Sequence, residues 1–138
     1  MARVESRARS RALQALYAWD LRDDDDLERV ASCMWDDLGV PAEERAFAEA
    51  LLTIIEANGR DLDDDLAEVT TNWRIERLGA IERCVLRLGA AELQQGVTPP
   101  RVVLQEMVRL AERYGSAPSA RFVNGVLDAL ARRMGRLS

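Results

Sequence analysis

The sequence predicts an all-α protein, built as one compact domain of about seven helices over residues 1–138. Three observations indicate this fold class. Apolar residues recur at the spacing of a helix face along nearly the whole chain. Alternating apolar and polar residues, which are typical of strands, are absent. Glycine and proline residues separate the apolar segments at the points where helices end and begin.

Four helices are predicted in the first half of the chain. They cover roughly residues 6–21, 27–38, 41–58 and 61–69. Gly39 and Pro41 separate the second helix from the third, because glycine is favoured just past a helix end and proline just inside a helix start. Asn58 and Gly59 are expected to end the third helix, and the fourth is a shorter one.

Three further helices are predicted after a less regular stretch at residues 70–78. They cover roughly residues 80–95, 101–114 and 120–130. Gly96, Pro99 and Pro100 form a rigid connector between the first two of these helices. Ser119 is expected to cap the start of the last one, because its hydroxyl can accept a hydrogen bond from a backbone N–H of the first turn.

The composition excludes several kinds of chemistry. The net charge is −5, histidine is absent, and all 19 basic residues are arginine. Without an imidazole or a lysine amine we expect no enzymatic activity, no cofactor and no metal site. The acidic runs at residues 23–26 and 61–65 are interpreted as helix starts, where carboxylates meet the positive end of the helix dipole. No apolar run approaches the ~20 residues that cross a bilayer, so we expect a cytoplasmic protein without membrane contact.

Residues 1–11 form a basic arm at the start of the first helix, although the whole chain is acidic. Four residues share one polar face of this helix, within an arc of about 80°: Arg3, Arg7, Arg11 and Gln14. One helical turn separates successive arginines by about 6 Å, which is close to the spacing of phosphates on an extended strand. The pattern suits contact with an RNA backbone and equally a solvated face of an arginine-rich chain, and the residues of the arm leave both interpretations open.

Three blocks of the sequence resemble the NusB family of transcription antitermination factors. The first block, R-x-R-x-x-A-x-Q-A-L-Y-x-W, begins at Arg7. The second block, LGAIERCVLR, begins at Leu78, and the third, SARFVNGVLD, begins at Ser119. The blocks occur in the order that the family has, and the FVNGVLD run is the most specific part.

The resemblance implies a helical RNA-binding factor without enzymatic activity. Members of the family pair with a small-subunit ribosomal protein in the NusE role, and the pair binds the boxA element of ribosomal RNA leader transcripts. RNA polymerase in the resulting antitermination complex resists termination. Some members are homodimers. The alternative is a helical protein–protein interaction module, homodimeric or not, that makes no direct contact with RNA.

The candidate binding residues come from the arm and from the three blocks. For RNA they are Arg3, Arg7, Arg9, Arg11, Gln14, Phe122 and Asn124, and for a protein partner they are Tyr17, Glu82 and Gly89. Phe122 lies at the rim of an apolar arc, where its ring either packs on the core or stacks on a base. Glu82 lies within an apolar arc, where it either complements the helix dipole or meets a basic partner. Gly89, on the same line, would allow that partner to come close.

Two further residues have open interpretations. Tyr17 lies at the edge of the arginine face, where it can stack on a base, pack against a partner or remain in water. The resemblance favours the ribosomal-protein partner for Tyr17. Gly125 stands in the middle of a predicted helix, where glycine costs about 1 kcal/mol relative to alanine. We therefore expect a backbone segment or a ligand to come close to Gly125.

Overall fold

The computed structural model describes residues 2–22, 26–70 and 78–137, with side chains from Val4 onward. Six helices occupy these ranges: α1 (Ala2–Asp20), α2 (Leu27–Leu38), α3 (Ala42–Val69), α4 (Ala80–Gln95), α5 (Pro100–Tyr114) and α6 (Ala117–Arg133). The prediction of an all-α fold is confirmed for this part of the chain. Residues 71–77 of the expected irregular stretch and residues 23–25 of the first acidic run lie outside the described residues. No helix within the described ranges combines the length and the apolar character needed to cross a lipid bilayer.

Helix α3 replaces two predicted helices by one. Its backbone leaves the helical conformation at Asn58 (φ −123°, ψ 19°) and then continues as a helix to Val69. Asn58 and Gly59 therefore kink the helix and do not end it. Leu62 and Leu66, beyond the kink, are buried in the same core as the residues before it, so tertiary packing outweighs the low helix propensity at this point. The second acidic run follows directly after the kink, inside α3.

Two helix starts test the capping predictions. Asp26 caps α2, because its carboxylate accepts a hydrogen bond from the backbone N–H of Glu28 at 3.1 Å. Helix α6 begins earlier than predicted, and its cap is Ser116, whose hydroxyl accepts from the backbone N–H of Ser119 at 3.2 Å. The prediction that Ser119 is the cap is wrong, because Ser119 lies buried in the first turn of the helix.

Helix α4 lies at the centre of the protein and packs against α1, α3, α5 and α6. Its residues Val85, Leu86 and Leu88 have no exposed surface. Helix α1 packs on α2, α3 and α4, while α5 and α6 pack on each other and on α4. The surfaces described below are therefore formed by helices that α4 holds together.

An ion-pair cluster fixes the end of α1 against α4. The Asp20 carboxylate accepts hydrogen bonds from Arg83 at 3.2 Å and from Arg87 at 3.3 Å. Arg87 also donates two hydrogen bonds of 2.9 Å to Asp63 of α3. The hydrogen bond from Arg83 holds the pKa of Asp20 below its usual value, although burial acts in the opposite direction. Two arginines of the second sequence block are thus committed to joining three helices.

Gly89 is a point of close approach within the fold. A Cβ atom built on this residue would lie 2.6 Å from Cδ1 of Leu127 and 3.1 Å from Cγ of Met107. Leu127 and Met107 are fully buried, so they have little freedom to move aside. Gly89 lets α5 and α6 pack closely on α4, and its assignment to a partner-binding surface is corrected accordingly.

Gly89→Ala is expected to destabilise the protein by up to about 2 kcal/mol. Overpacking costs roughly 1–3 kcal/mol, and the gain in helix propensity offsets about 1 kcal/mol of it. Gly125→Ala is the matched control, because a Cβ built there has no described atom within 4 Å apart from its chain neighbours and the backbone of its own helix turns. The control should stabilise the protein by up to about 1 kcal/mol. Urea denaturation measures both changes, and changes of the same sign would contradict the packing role of Gly89.

Candidate nucleic-acid interface

The two faces of α1 have different environments. The apolar face predicted from the sequence is buried, with Ala8, Ala12, Ala15 and Leu16 in the core. On the polar face, the Arg7 side chain is 54% exposed, and its Nε donates a hydrogen bond to Glu44 at 2.8 Å. Arg11 is half-buried and donates from Nη1 to Oε1 of Gln14 at 3.3 Å. The Arg3 side chain lies outside the part of the chain that the structure describes.

Arg7, Arg11 and Gln14 form part of one wall of a cavity between α1 and α5, which we call the α1–α5 groove. Its volume is about 350 Å³. It is lined by Ser6, Arg7, Ser10, Arg11 and Gln14 of α1 and by Glu106, Arg109, Leu110, Arg113 and Tyr114 of α5. Nε2 of Gln14 donates to the Tyr114 hydroxyl at 3.2 Å, so a hydrogen bond joins the two walls. The Arg113 guanidinium lies over the Tyr114 ring, 5.1 Å from its centroid.

The α5 wall was not anticipated from the sequence. Arg109 and Arg113 are four residues apart, the same spacing as Arg7 and Arg11, so each pair occupies successive turns of one helix face. This spacing was the feature of the sequence that could have indicated a second basic helix face. The sequence did not indicate that the two arginine pairs face the same groove, because that depends on how α5 lies relative to α1.

Arg9 lies inside the protein and not on the RNA-binding face. Its side chain is 4% exposed, and Nε and Nη2 donate to the two carboxylate oxygens of Glu92 at 2.8 and 2.6 Å. Nη1 donates to Glu106 at 3.1 Å. Burial lowers the pKa of Arg9, but the hydrogen bonds and charges of Glu92 and Glu106 outweigh it and raise that pKa. The assignment of Arg9 to RNA is corrected, because a phosphate cannot reach a guanidinium that is buried and paired in this way.

Two other candidates meet in a second depression, the α4–α6 cleft. Its volume is about 530 Å³, and it is lined by Leu78, Gly79, Glu82, Ser116, Pro118, Ser119 and Phe122. The Ser119 hydroxyl donates a hydrogen bond to the Glu82 carboxylate, which fixes the position of this acid. Phe122 is half-buried and packs against the core. An acid beside an apolar rim suits a protein segment that carries a cation.

Three remaining residues lie outside both the groove and the cleft. Tyr17 of α1 is 38% exposed. Asn124 is exposed on α6 and lines a separate shallow groove with Arg101 and Arg121. Gly125 is exposed, and no other described backbone comes within 4 Å of a Cβ built on it. The expected close backbone contact at Gly125 is therefore not present among the described residues.

The comparisons with known proteins agree with one another. Residues 6–132 match the NusB family. The transcription antitermination protein NusB of Sorangium cellulosum (strain So ce56) is 40% identical over 135 residues, which are 97% of this chain and 96% of that protein. A chain in the crystal structure of a plectonemic RNA supercoil has a TM-score of 0.90 and 29% identity, with 99% of both chains covered. A chain in the crystal structure of the antitermination factors NusB and NusE with dsRNA has a TM-score of 0.88 and 29% identity, with 96% of this chain and 99% of that chain covered.

Proposed function

This chain belongs to the NusB family, and we propose that it is a transcription antitermination factor that binds boxA-type RNA jointly with a ribosomal protein. The RNA is the single-stranded leader of ribosomal RNA transcripts, and the protein partner is the small-subunit protein in the NusE role. The similarity to a chain crystallised with NusE and RNA, over nearly the whole length, supports this assignment. The protein acts by binding and not as an enzyme, and it works in the cytoplasm, within the antitermination complex of RNA polymerase.

The observation that carries the proposal is the basic face of α1. Arg7 and Arg11 lie one turn apart on a protein whose net charge is −5. Arginine is a permanent cation whose planar fork matches phosphate. Nε of Arg7 donates to Glu44, and more than half of the Arg7 side chain is still exposed. The described side-chain hydrogen bond of Arg11 goes to the neutral amide of Gln14. The positive charge of this face is therefore available to an RNA backbone.

The protein partner has a separate surface. Glu82 and Phe122 line the α4–α6 cleft, and Tyr17 is exposed near the end of α1. We assign Glu82 and Tyr17 to the ribosomal protein and leave the basic face of α1 for RNA. Phe122, at the rim of the cleft, and Asn124, on the same helix, complete the RNA-binding set where the two partners meet.

Fluorescence anisotropy with a labelled leader RNA tests the proposal, with and without the ribosomal protein of the same organism. We expect tighter binding when both proteins are present, and a log K that falls with log salt at a slope of about −2 to −3 for three or four phosphate contacts. An RNA of equal length with a scrambled boxA element is the control for sequence recognition. If the chain bound the ribosomal protein with or without RNA but never bound RNA, the interaction-module alternative would replace the proposal.

A further inference from the structure

We propose that the α1–α5 groove holds the backbone of one RNA strand, with Arg109 and Arg113 contacting phosphates opposite Arg7 and Arg11. The inference rests on the proposed RNA binding and adds a second wall to it. Both α5 arginines lie outside the three sequence blocks that resemble the family, which cover residues 7–19, 78–87 and 119–128. The resemblance therefore does not assign these contacts.

Positive charge is concentrated in the groove. Ten described residues line it, of which four are arginines and one, Glu106, is an acid. The Glu106 carboxylate accepts hydrogen bonds from Ser6 and from Arg9, and Arg109 lies 3.4 Å away. Because the single charge of Arg9 is already matched by Glu92, Glu106 offsets one of the four arginine charges in the groove. The groove remains cationic on an otherwise acidic protein, so it attracts a polyanion.

The spacing of the cations favours RNA over an acidic protein segment. Each wall carries two guanidinium groups four residues apart, which corresponds to a rise of about 6 Å along a helix. Phosphates follow one another along a strand at a regular spacing of the same order, whereas the acids of a peptide follow its sequence. Two walls with the same spacing therefore fit a regularly charged backbone.

The α5 arginines are accessible and partly oriented. The Arg109 side chain is 69% exposed, and its 3.4 Å contact with Glu106 is long for a charged hydrogen bond. Arg113 is held over the ring of Tyr114, and the hydroxyl of that ring accepts a hydrogen bond from Gln14. The ring contact restricts Arg113 near the groove before RNA arrives, which reduces the side-chain entropy lost on binding.

The test compares two variants with the same change of charge. R109Q/R113Q removes the α5 wall, and R29Q/R60Q removes two exposed arginines from α2 and α3, outside the groove. The probes are fluorescein-labelled boxA RNA and an oligouridylate of equal length, titrated over a range of salt with and without the ribosomal protein. For R109Q/R113Q we expect the salt slope to flatten by about 1.4 and the affinity at 0.1 M salt to fall roughly 25-fold, similarly for both RNAs.

The outcomes separate this inference from the proposed function. If wild type binds RNA and R109Q/R113Q behaves as R29Q/R60Q does, the groove is not the phosphate site, and the proposed function stands. If wild type binds neither RNA under any of these conditions, both proposals are overturned. If R109Q/R113Q binds RNA normally but loses affinity for the ribosomal protein, the groove belongs to the protein partner and the inference is wrong.

Discussion

Glu92→Leu is expected to destabilise the protein by about 3–5 kcal/mol, because it leaves a buried guanidinium without its main partner. Glu92 is fully buried and Arg9 is 4% exposed. Two of the three described hydrogen bonds from Arg9 go to the Glu92 carboxylate, and the third, from Nη1, goes to Glu106. Glu106 cannot also reach Nε and Nη2, so these donors would lose their acceptors. Urea denaturation followed by circular dichroism measures the change in the free energy of unfolding.

The double variant R9M/E92L is the control for this prediction. It removes both charges and replaces them with apolar side chains, a change that is often close to neutral for a buried pair. We expect R9M/E92L to be more stable than E92L, with Glu106 retaining its contacts to Ser6 and Arg109. A loss of less than about 1 kcal/mol in E92L would show that the pair is not essential, since a missing partner in the interior costs more than that.

The buried pair also bears on function through the orientation of α1. Arg9 stands between Arg7 and Arg11 in the sequence and is anchored to α4 through Glu92 and to α5 through Glu106. This anchor fixes the rotation of α1 about its own axis. It therefore directs the two flanking arginines towards the groove, although Arg9 itself does not reach the solvent.

Local features of the fold could be predicted from the sequence because their causes are local. Gly39 and Gly96 end α2 and α4 with φ of 63° and 73°, a conformation that glycine adopts without strain. Pro100, which was predicted to belong to the connector, is the first residue of α5, a position where its missing N–H group costs no helix hydrogen bond. The merged α3 was missed because burial on both sides of Asn58 decides the outcome there, and burial is a tertiary property.

The helical spacing of Arg9 indicated a buried position, although its charge suggested an exposed one. Arg9, Leu13 and Leu16 are separated by four and three residues, so they share one helix face, and that face is buried. Glu92 likewise follows Leu88 by four residues on the central helix. Helical spacing could have placed both charges inside. It could not have paired them, because the partners lie 83 residues apart in the chain.

The candidate interface could be predicted only one helix at a time. A helical-wheel projection of α1 places Arg7, Arg11 and Gln14 on one face of the helix. In the structure all three line one groove. The opposite wall depends on contacts such as the one from Gln14 to Tyr114, which spans 100 residues. A sequence alone contains no local pattern for contacts of that range.

The largest functional effect is expected when both walls of the groove are removed together. R7Q/R11Q should flatten the salt slope by about 1.4, as R109Q/R113Q should, and the combined fourfold variant by about 2.8. At 0.1 M salt, the fourfold variant should bind single-stranded RNA roughly 600-fold more weakly than wild type, because four phosphate contacts are lost. Glutamine at position 7 keeps an amide that can donate to the buried carboxylate of Glu44, so the fold should be retained.

Additivity of the two pairs decides whether they hold the same strand. If one strand contacts both walls, the losses in log K add, since each pair removes its own phosphates from a single complex. If the walls were separate sites, each pair variant would keep an intact site on the other wall, and only the fourfold variant would bind weakly.

The control variant R29Q/R60Q/R132Q/R133Q removes the same amount of charge outside the groove. The described ion pairs of Arg132 and Arg133 are exposed and contribute little to stability. Thermal melting of all variants checks that the fold persists. An equal loss of RNA binding in this control would show that net charge, and not the position of the arginines in the groove, determines the affinity.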